Sequence, residues 1–220
     1  MSVNLHVGDG DGDEIADLVA AHEIDVLSVQ ELTPESARVL ESGTLPDSLP
    51  FSRVRARMGS AGIALYADRR LRGTGVPPFV AGLPGVSARL MLEGEPIDVF
   101  AVHPPPPLGE SSVRDLESYL DAIPPADPEA PPRILAGDFN ATLDHAKLRR
   151  LLDDGYRDAA DSLGSGLIPT WPSRRWPPPM TIDHVIADRR LVVLDYEVVD
   201  IEGSDHRAVI STLAYADQEP

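Results

Sequence analysis

The feature that most narrows the fold is a series of short apolar runs, each bounded by polar or turn residues: Asp25 to Gln30, Gly62 to Tyr66, Ile97 to Val102, Arg133 to Ala136, Ile182 to Ala187 and Ala208 to Leu213. Runs of this length read as buried strands. Between several of them the period changes to that of a helix. Ile15, Leu18, Val19 and His22 fall at i, i+3, i+4 and i+7; Val113, Leu116 and Leu120 do likewise, and Leu148, Leu151 and Leu152 lie closer together. The pattern predicts a mixed α/β fold in which helices cover sheet. Prolines gather at 104–107, 124–132 and 169–179, after strands, where they stiffen surface loops. No internal repeat or boundary interrupts the chain. Residues 1–220 therefore read as one domain, a size that a single core can serve.

Composition limits the chemistry. With no cysteine in the chain, disulfides and thiolate metal sites are excluded, and a bound metal must be held by carboxylate, amide, imidazole or water. That favours magnesium, manganese or calcium. A formal charge of -17 repels a polyphosphate backbone unless cations or a local basic strip intervene. It argues against tight nucleic-acid binding and leaves hydrolysis of nucleic acid open, since bound metal ions invert the local field. No apolar run approaches the ~20 residues of a membrane helix, and the N-terminus lacks the basic-then-apolar layout of a signal peptide. The expectation is a soluble chain, cytoplasmic and monomeric by default.

Several strand ends carry groups suited to chemistry. The run from Asp25 stops at Gln30-Glu31, where Glu31 is either a site carboxylate or a solvated glutamate beside a turn. The run Ile134-Leu135-Ala136-Gly137 delivers Asp138 and Asn140, two residues apart and so on one side if extended. The carboxylate can orient or deprotonate water, and the amide can donate to a phosphoryl oxygen. Alternatively both are turn formers, with Asp144 capping the next helix. Asp183-His184 and Asp205-His206, 22 residues apart, each place an Asp-His pair at a strand edge. An Asp that accepts from one ring nitrogen fixes the tautomer and raises the basicity of the other. Neighbours on a strand point oppositely, so a productive couple takes one residue from each pair, and His184 reads as a packed strand histidine. His103 ends the strand Val99 to Val102 before a proline loop; His6, His22 and His145 read as surface or edge residues.

Taken in order, Asn4, Gln30-Glu31, Val102-His103-Pro104, Gly137-Asp138-Phe139-Asn140-Ala141-Thr142, Ile182-Asp183-His184-Val185 and Ser204-Asp205-His206 resemble the endonuclease/exonuclease/phosphatase family across residues 3–213. Gly-Asp-Phe-Asn and Ser-Asp-His carry most of that resemblance. It implies a four-layer α/β sandwich, two stacked mixed β-sheets flanked by helices. By motif, it makes Glu31 the main metal ligand with Asn4 and Asp205 beside it, Asp138 the group that orients the attacking water, and Asn140 a ligand of the scissile phosphate. It also places His206, held by Asp183, and His103 against the phosphate. The implied cofactor is Mg2+ or Mn2+, with Ca2+ as an alternative.

Two departures from the family pattern stand out. A glutamate that often partners the second histidine is absent from Met58-Gly59-Ser60-Ala61-Gly62, and the strand ahead of Asn4 is only Met1-Ser2-Val3, which suggests a trimmed chain or an early start. The stretch Gly8 to Glu14 looks superficially like a calcium loop, but Glu14 stands where glycine is required and Ala20 where the bidentate glutamate belongs. It reads as an acidic loop and helix cap. For substrate, Arg53, Arg55 and Arg57 alternate on one face if their stretch is a strand, and Trp171 with Arg174-Arg175-Trp176 occupies a proline-rich loop. These could contact phosphate and a base, or simply balance an acidic surface. The first expectation is a nuclease acting weakly and transiently on DNA. The alternative is a lipid or inositol phosphatase or a sphingomyelinase-like phosphodiesterase; an inactive binding module is disfavoured because every principal position is filled.

Overall fold

The computed structural model describes residues 1–75, 85–92, 94–173 and 179–216. In chain order the first half comprises β1 (Ser2–Asn4), α1 (Gly12–Ala21), β2 (Val26–Gln30), α2 (Pro34–Ser42), α3 (Leu45–Ser48), β3 (Phe51–Arg55), β4 (Ile63–Ala67), β5 (Arg72–Gly75), β6 (Gly85–Leu92) and β7 (Glu95–Val102). There follow α4 (Glu110–Ala122), β8 (Arg133–Asp138), α5 (Ala146–Asp153), β9 (Tyr156–Asp158), α6 (Ala159–Ser162), β10 (Asp183–Asp188), β11 (Leu191–Asp200) and β12 (Arg207–Tyr215). Each apolar run picked out in the sequence is a strand, and each helical pattern a helix.

The strands form two six-stranded mixed sheets, ordered β11-β12-β1-β2-β4-β3 and β5-β6-β7-β8-β10-β9. Helices cover the outer faces. Ile15 and Val19 of α1, with Leu40 and Leu45, pack on Val3, Leu27 and Val29 of the first sheet. Leu116 and Tyr119 of α4 and Leu148 and Leu151 of α5 pack on Phe100, Leu135 and Ile186 of the second. Between the sheets lie Ile63 and Leu65 against Val86, Leu90 and Val99, and Ala136 and Val185 against Val209. The result is the expected α/β sandwich of helices, sheet, sheet and helices.

Local signals explain the boundaries. The acidic loop is a cap: Asp11 accepts from the backbone amides of Asp13 and Glu14 at the start of α1. Thr33 and Ser36 form a reciprocal capping pair around Pro34 at the start of α2. Asp144 does not cap α5, however. His145 occupies the cap position without a side-chain bond, because the Thr142 carbonyl turns the chain there through the His145 amide. Alternation along β2 sends Leu27 and Val29 to the helices and leaves Ser28 and Gln30 facing the second sheet. There Ser28 donates to the Ala136 carbonyl at 2.8 Å, Gln30 donates to Ser28 at 2.8 Å, and Ser2 donates to Gln30 at 3.2 Å. A buried polar seam, fully bonded among its members, thus runs between the sheets towards one end of the sandwich.

Gly137 shows how tightly that end is built. A Cβ on it would lie 1.9 Å from the carbonyl oxygen of Val102, its partner across the parallel β7–β8 pair. Glycine therefore lets the strands carrying His103 and Asp138 approach. Gly137→Ala should destabilise the protein by about 1–3 kcal/mol or more, the usual scale of overpacking, read as a lowered midpoint in denaturant; an unchanged midpoint would refute this account of the strand contact.

Candidate active site

The residues singled out in the sequence come from six segments that end at the same edge of the sandwich. Asn4 closes β1, Glu31 follows β2, His103 follows β7, Asp138 closes β8, Asp183 opens β10, and Asp205-His206 precede β12. Antiparallel register sets Asp183 opposite Asp138, so two buried carboxylates are neighbours. Burial first, and the Asp183 charge second, push the Asp138 carboxyl above its ordinary pKa; His206 and His103 pull the other way.

The imidazole of His206 bonds through Nδ1 to Asp183 Oδ2 at 2.9 Å, and its Nε2 lies 3.8 Å from Asp138 Oδ2. This is the couple that spacing alone left open. Burial opposes the charge on His206, but Asp183, Asp138 and Asp205 together outweigh it and hold the ring's pKa at about 10. The three carboxylates thus favour the protonated ring, whose Nε2 side faces Asp138 Oδ2. A divalent cation beside the same carboxylates would offset their charge and lower that value.

Around this couple the other groups interlock. Asn4 Nδ2 donates to Asp138 Oδ2 at 3.0 Å and to Glu31 Oε1 at 3.3 Å. The Val7 amide donates to Glu31 Oε2 at 2.7 Å. His103 Nε2 is 3.6 Å from Asp138 Oδ2 and 3.8 Å from Glu31 Oε1. The buried Nδ1 of His103 has no hydrogen-bond partner among the described residues, in keeping with the missing glutamate at 58–62. Asn140 does not follow the extended geometry read from the sequence. It sits in the left-handed region at φ 49°, its amide donating to Asp138 Oδ1 at 2.8 Å and its side chain to the Pro104 carbonyl at 3.0 Å. A turn, and not strand alternation, brings the two together. Glu31, His6 and Val7 are left-handed as well, at 56°, 48° and 58°. Strained backbone of this kind persists where surrounding contacts over-determine it, often at functional sites.

Several oxygens are positioned to receive a cation. Asp183 Oδ1 and Asp205 Oδ1 are buried without a hydrogen-bond partner among the described residues. Ligand-type atoms of Asp138, Asp183 and His206 lie within 4.8 Å of one another. Asp183 Oδ2 and His206 Nδ1 are already committed to each other, however. Glu31, Asn4 and Asp205 form the neighbouring oxygen-rich side of the cleft, tied together by Ser204, which donates to the Asn4 carbonyl at 2.7 Å. An inter-sheet cavity of about 440 Å3, lined by Met1, Asp25, Ile134 and Leu213 among others, contains none of these site residues.

The proposed substrate contacts fare unevenly. Trp171 reaches the site: its indole donates to Asp205 Oδ2 at 2.9 Å, and its ring centroid lies 6.2 Å from that of His206. Arg53 does not, because its guanidinium is turned to the Leu71 carbonyl at 2.8 Å and to Ser52 at 3.0 Å. Arg55 is exposed, reaching the Gly85 carbonyl at 3.4 Å. Arg57 lies beyond β3, so the three do not share one strand face; it is exposed in a loop whose backbone joins Leu32. Arg174 and Arg175 lie outside the described residues.

Other participants escaped the sequence reading. His6 is exposed at the surface, as expected, yet its ring lies 3.9 Å from Asp205 Oδ1 at the rim of the site. Thr170 Oγ1 accepts from the amides of Ile182 and Asp183, each at 3.0 Å, and so fixes the start of β10. No local signal marks either role, since both depend on which loops meet.

Residues 1–206 match the Endonuclease/Exonuclease/phosphatase family. The chain belongs to that family. Members are phosphoesterases, and the match covers every site residue described above. No curated protein matches the chain. Among solved structures, an endonuclease/exonuclease/phosphatase from Beutenbergia cavernae is 19% identical over 97% of this chain and 70% of its own, with a TM-score of 0.74. D. rerio TDP2 complexed with single strand DNA product is 17% identical over 97% of each chain, with a TM-score of 0.74. A Bacteroides thetaiotaomicron mannosyl-6-phosphatase is 15% identical over 97% of this chain and 98% of its own, with a TM-score of 0.67. At these identities the likeness establishes the fold.

His206→Ala and Asp138→Asn should each lower phosphoester turnover by at least ~10²-fold, the scale of a positioned acid–base group, with folding retained by circular dichroism. His22→Ala is the control, since His22 ends α1 away from the cluster. A control as damaging as the site variants would refute the assignment.

Proposed function

We propose that the protein is a divalent-metal-dependent phosphodiester hydrolase that promotes in-line attack of water on phosphorus. The observation that carries this reading is the buried Asp183–His206 couple at 2.9 Å, set against Asp138 and next to the Asn4–Glu31 pair. Glu31 would hold the cation, with Asn4 and Asp205 beside it. The fit is supported by hard oxygen donors, the absence of thiolates, and the unpartnered Asp205 Oδ1. When bound, magnesium or manganese polarises a phosphoryl oxygen and offsets the charge that builds there. Asp138 orients the attacking water and draws its proton, and its raised pKa makes it a better proton acceptor than an ordinary aspartate. Asn140 donates to a phosphoryl oxygen. His206, kept in register by Asp183, donates to the phosphoryl group or the leaving oxygen, with His103 near the same Asp138 oxygen, Oδ2.

DNA is the substrate class we infer first, engaged through few phosphate contacts. Support comes from the relative described with a single strand DNA product, from Trp171 against Asp205, and from the exposed Arg55 and Arg57, the latter bonded through its backbone to Leu32, next to Glu31. With Arg53 committed to backbone carbonyls and an overall charge of -17, binding should be weak. A second reading has an observation of its own. Among the described residues the three most exposed large hydrophobics, Leu167, Leu108 and Met58, are 93%, 88% and 80% exposed, and they lie in the loops after α6, β7 and β3. An apolar rim suits a phosphoester with an apolar group, such as a phospholipid.

Chelation with EDTA should abolish hydrolysis of bis-p-nitrophenyl phosphate and magnesium or manganese should restore it; full activity in chelator would overturn the mechanism. On DNA, the salt dependence of the Michaelis constant should correspond to on the order of 2 to 4 ions. Arg55→Ser with Arg57→Ser should raise that constant more than it lowers turnover. If DNA cleavage is unchanged by both substitutions and Leu108→Ser abolishes turnover of phosphatidylcholine vesicles, the lipid reading replaces it.

A further inference from the structure

Behind the turn that carries Asn140 lies a second buried Asp-His pair that the reaction does not use. His184 follows Asp183 on β10 and points to the opposite face, as strand alternation requires. Its side chain and that of Asp158 are both fully buried. Nδ1 of His184 meets Asp158 Oδ2 at 2.8 Å, Nε2 meets the Ala141 carbonyl at 2.9 Å, and the ring packs edge-on against Phe139 with centroids 5.7 Å apart. A carbonyl can only accept, so Nε2 donates to Ala141. Asp158 is itself anchored, its Oδ1 accepting from the Asp161 amide at 2.8 Å as the cap of α6.

The turn 138–141 is thereby pinned to β10 on both flanks of Asn140. Ahead of it the Phe139 amide donates to the Ile182 carbonyl at 2.8 Å; behind it the Ala141 carbonyl is held by His184. Asn140, the residue between these two bonds, is the one in the left-handed region, a conformation that is unfavourable for a side chain and persists only where neighbours impose it. We infer that His184, backed by Asp158, is a positioning residue that holds Asn140 in its left-handed turn, and with it the side-chain amide that donates to Pro104 and Asp138 in the free protein and turns to the substrate phosphate in the proposed reaction. The inference rests on the phosphoester reading for its kinetic arm only. Any buried histidine needs partners for both ring nitrogens; what ties this one to the turn is that one partner is the carbonyl of Ala141, next to Asn140.

The test is a double-mutant cycle with bis-p-nitrophenyl phosphate and manganese. His184→Phe keeps the edge contact with Phe139 and removes both hydrogen bonds. It should lower kcat/KM by at least about 10-fold in the parent, but by less than about 2-fold in an Asn140→Ala background, because the residue it positions is then gone. Equal losses in both backgrounds would overturn the proposal. Should His184→Phe fail to fold, His184→Gln and Asp158→Asn carry the same cycle. Leu45→Ala, in the core under α1 and α2, supplies a destabilised control whose kcat/KM should hold below its unfolding temperature. Independently of any activity, the assigned backbone amide signals of Asn140 and Ala141 should shift or broaden in the His184 and Asp158 variants and stay in place in Leu45→Ala. Unmoved signals would refute the clamp. A parent protein inactive on every phosphoester, with moved signals, would refute the functional reading and leave the clamp standing.

Discussion

Contacts that cross from one sheet to the other hold the site together. Asn4 on the first sheet donates to Asp138 on the second, His206 beside the first bonds Asp183 on the second, and His103 after the second lies between Asp138 and Glu31, the latter after the first. Neither sheet alone carries a complete set of groups. The relative placement of the two sheets therefore sets the chemistry, and features that fix that placement serve the site. The Ser28 hydroxyl, which donates across to the Ala136 carbonyl of the second sheet with Gln30 and Ser2 bonded behind it, is of this kind.

Crowding carboxylates in such a place is unfavourable in itself. Asp138 and Asp183 face each other across a strand pair, both buried, so their like charges repel where little water screens them. The protein offsets their charge partly with His206, whose protonated form they favour, and partly with the amides of Asn4 and Asn140. Among the described residues, oxygens on Asp183 and Asp205 remain without a hydrogen-bond partner. Unsatisfied buried oxygens next to two aspartates and a glutamate make the cluster a natural receiver of a hard cation. In the proposed reaction, the same groups that are costly in the free protein would become ligands and hydrogen-bond acceptors for cation and phosphate. Stability and catalysis are thus opposed in this corner of the fold, and left-handed backbone at Glu31 and Asn140 is part of that opposition.

Much of this was legible in the sequence because strands announce themselves by apolar runs, and a polar residue at the end of a buried strand has few places to point. Glu31, Asp138, Asp183 and His206 stood out as candidates that way, the family resemblance chose Glu31 over a solvated glutamate and coupled Asp183 with His206, and alternation turned His184 out of the cleft. The strands β5, β6, β9 and β11 gave weaker signals, since charged and small residues interrupt their alternation; β11 carries a bulge between Val193 and Asp195. Asn140 was found for an incomplete reason, because two-residue spacing describes a strand while the chain there turns. Arg53 misled, since a long side chain on an edge strand can reach either solvent or a neighbouring backbone, and the Leu71 carbonyl is nearby only in three dimensions. Thr170, His6 and Asp158 were invisible for the same reason: each matters through partners remote in sequence.

The central claim is that a divalent cation sits on the Glu31 side of the cluster, leaving Asp183 to hold His206. A crystal structure of the manganese-loaded protein, with anomalous differences recorded at the manganese edge, tests it most directly. The account predicts one strong peak within coordination distance of a Glu31 carboxylate oxygen, with Asn4 or Asp205 adjacent and the Asp183–His206 bond intact. A peak ligated instead by Asp138, Asp183 and His206, with that bond broken, or one confined to the acidic loop at 9–14, would contradict it.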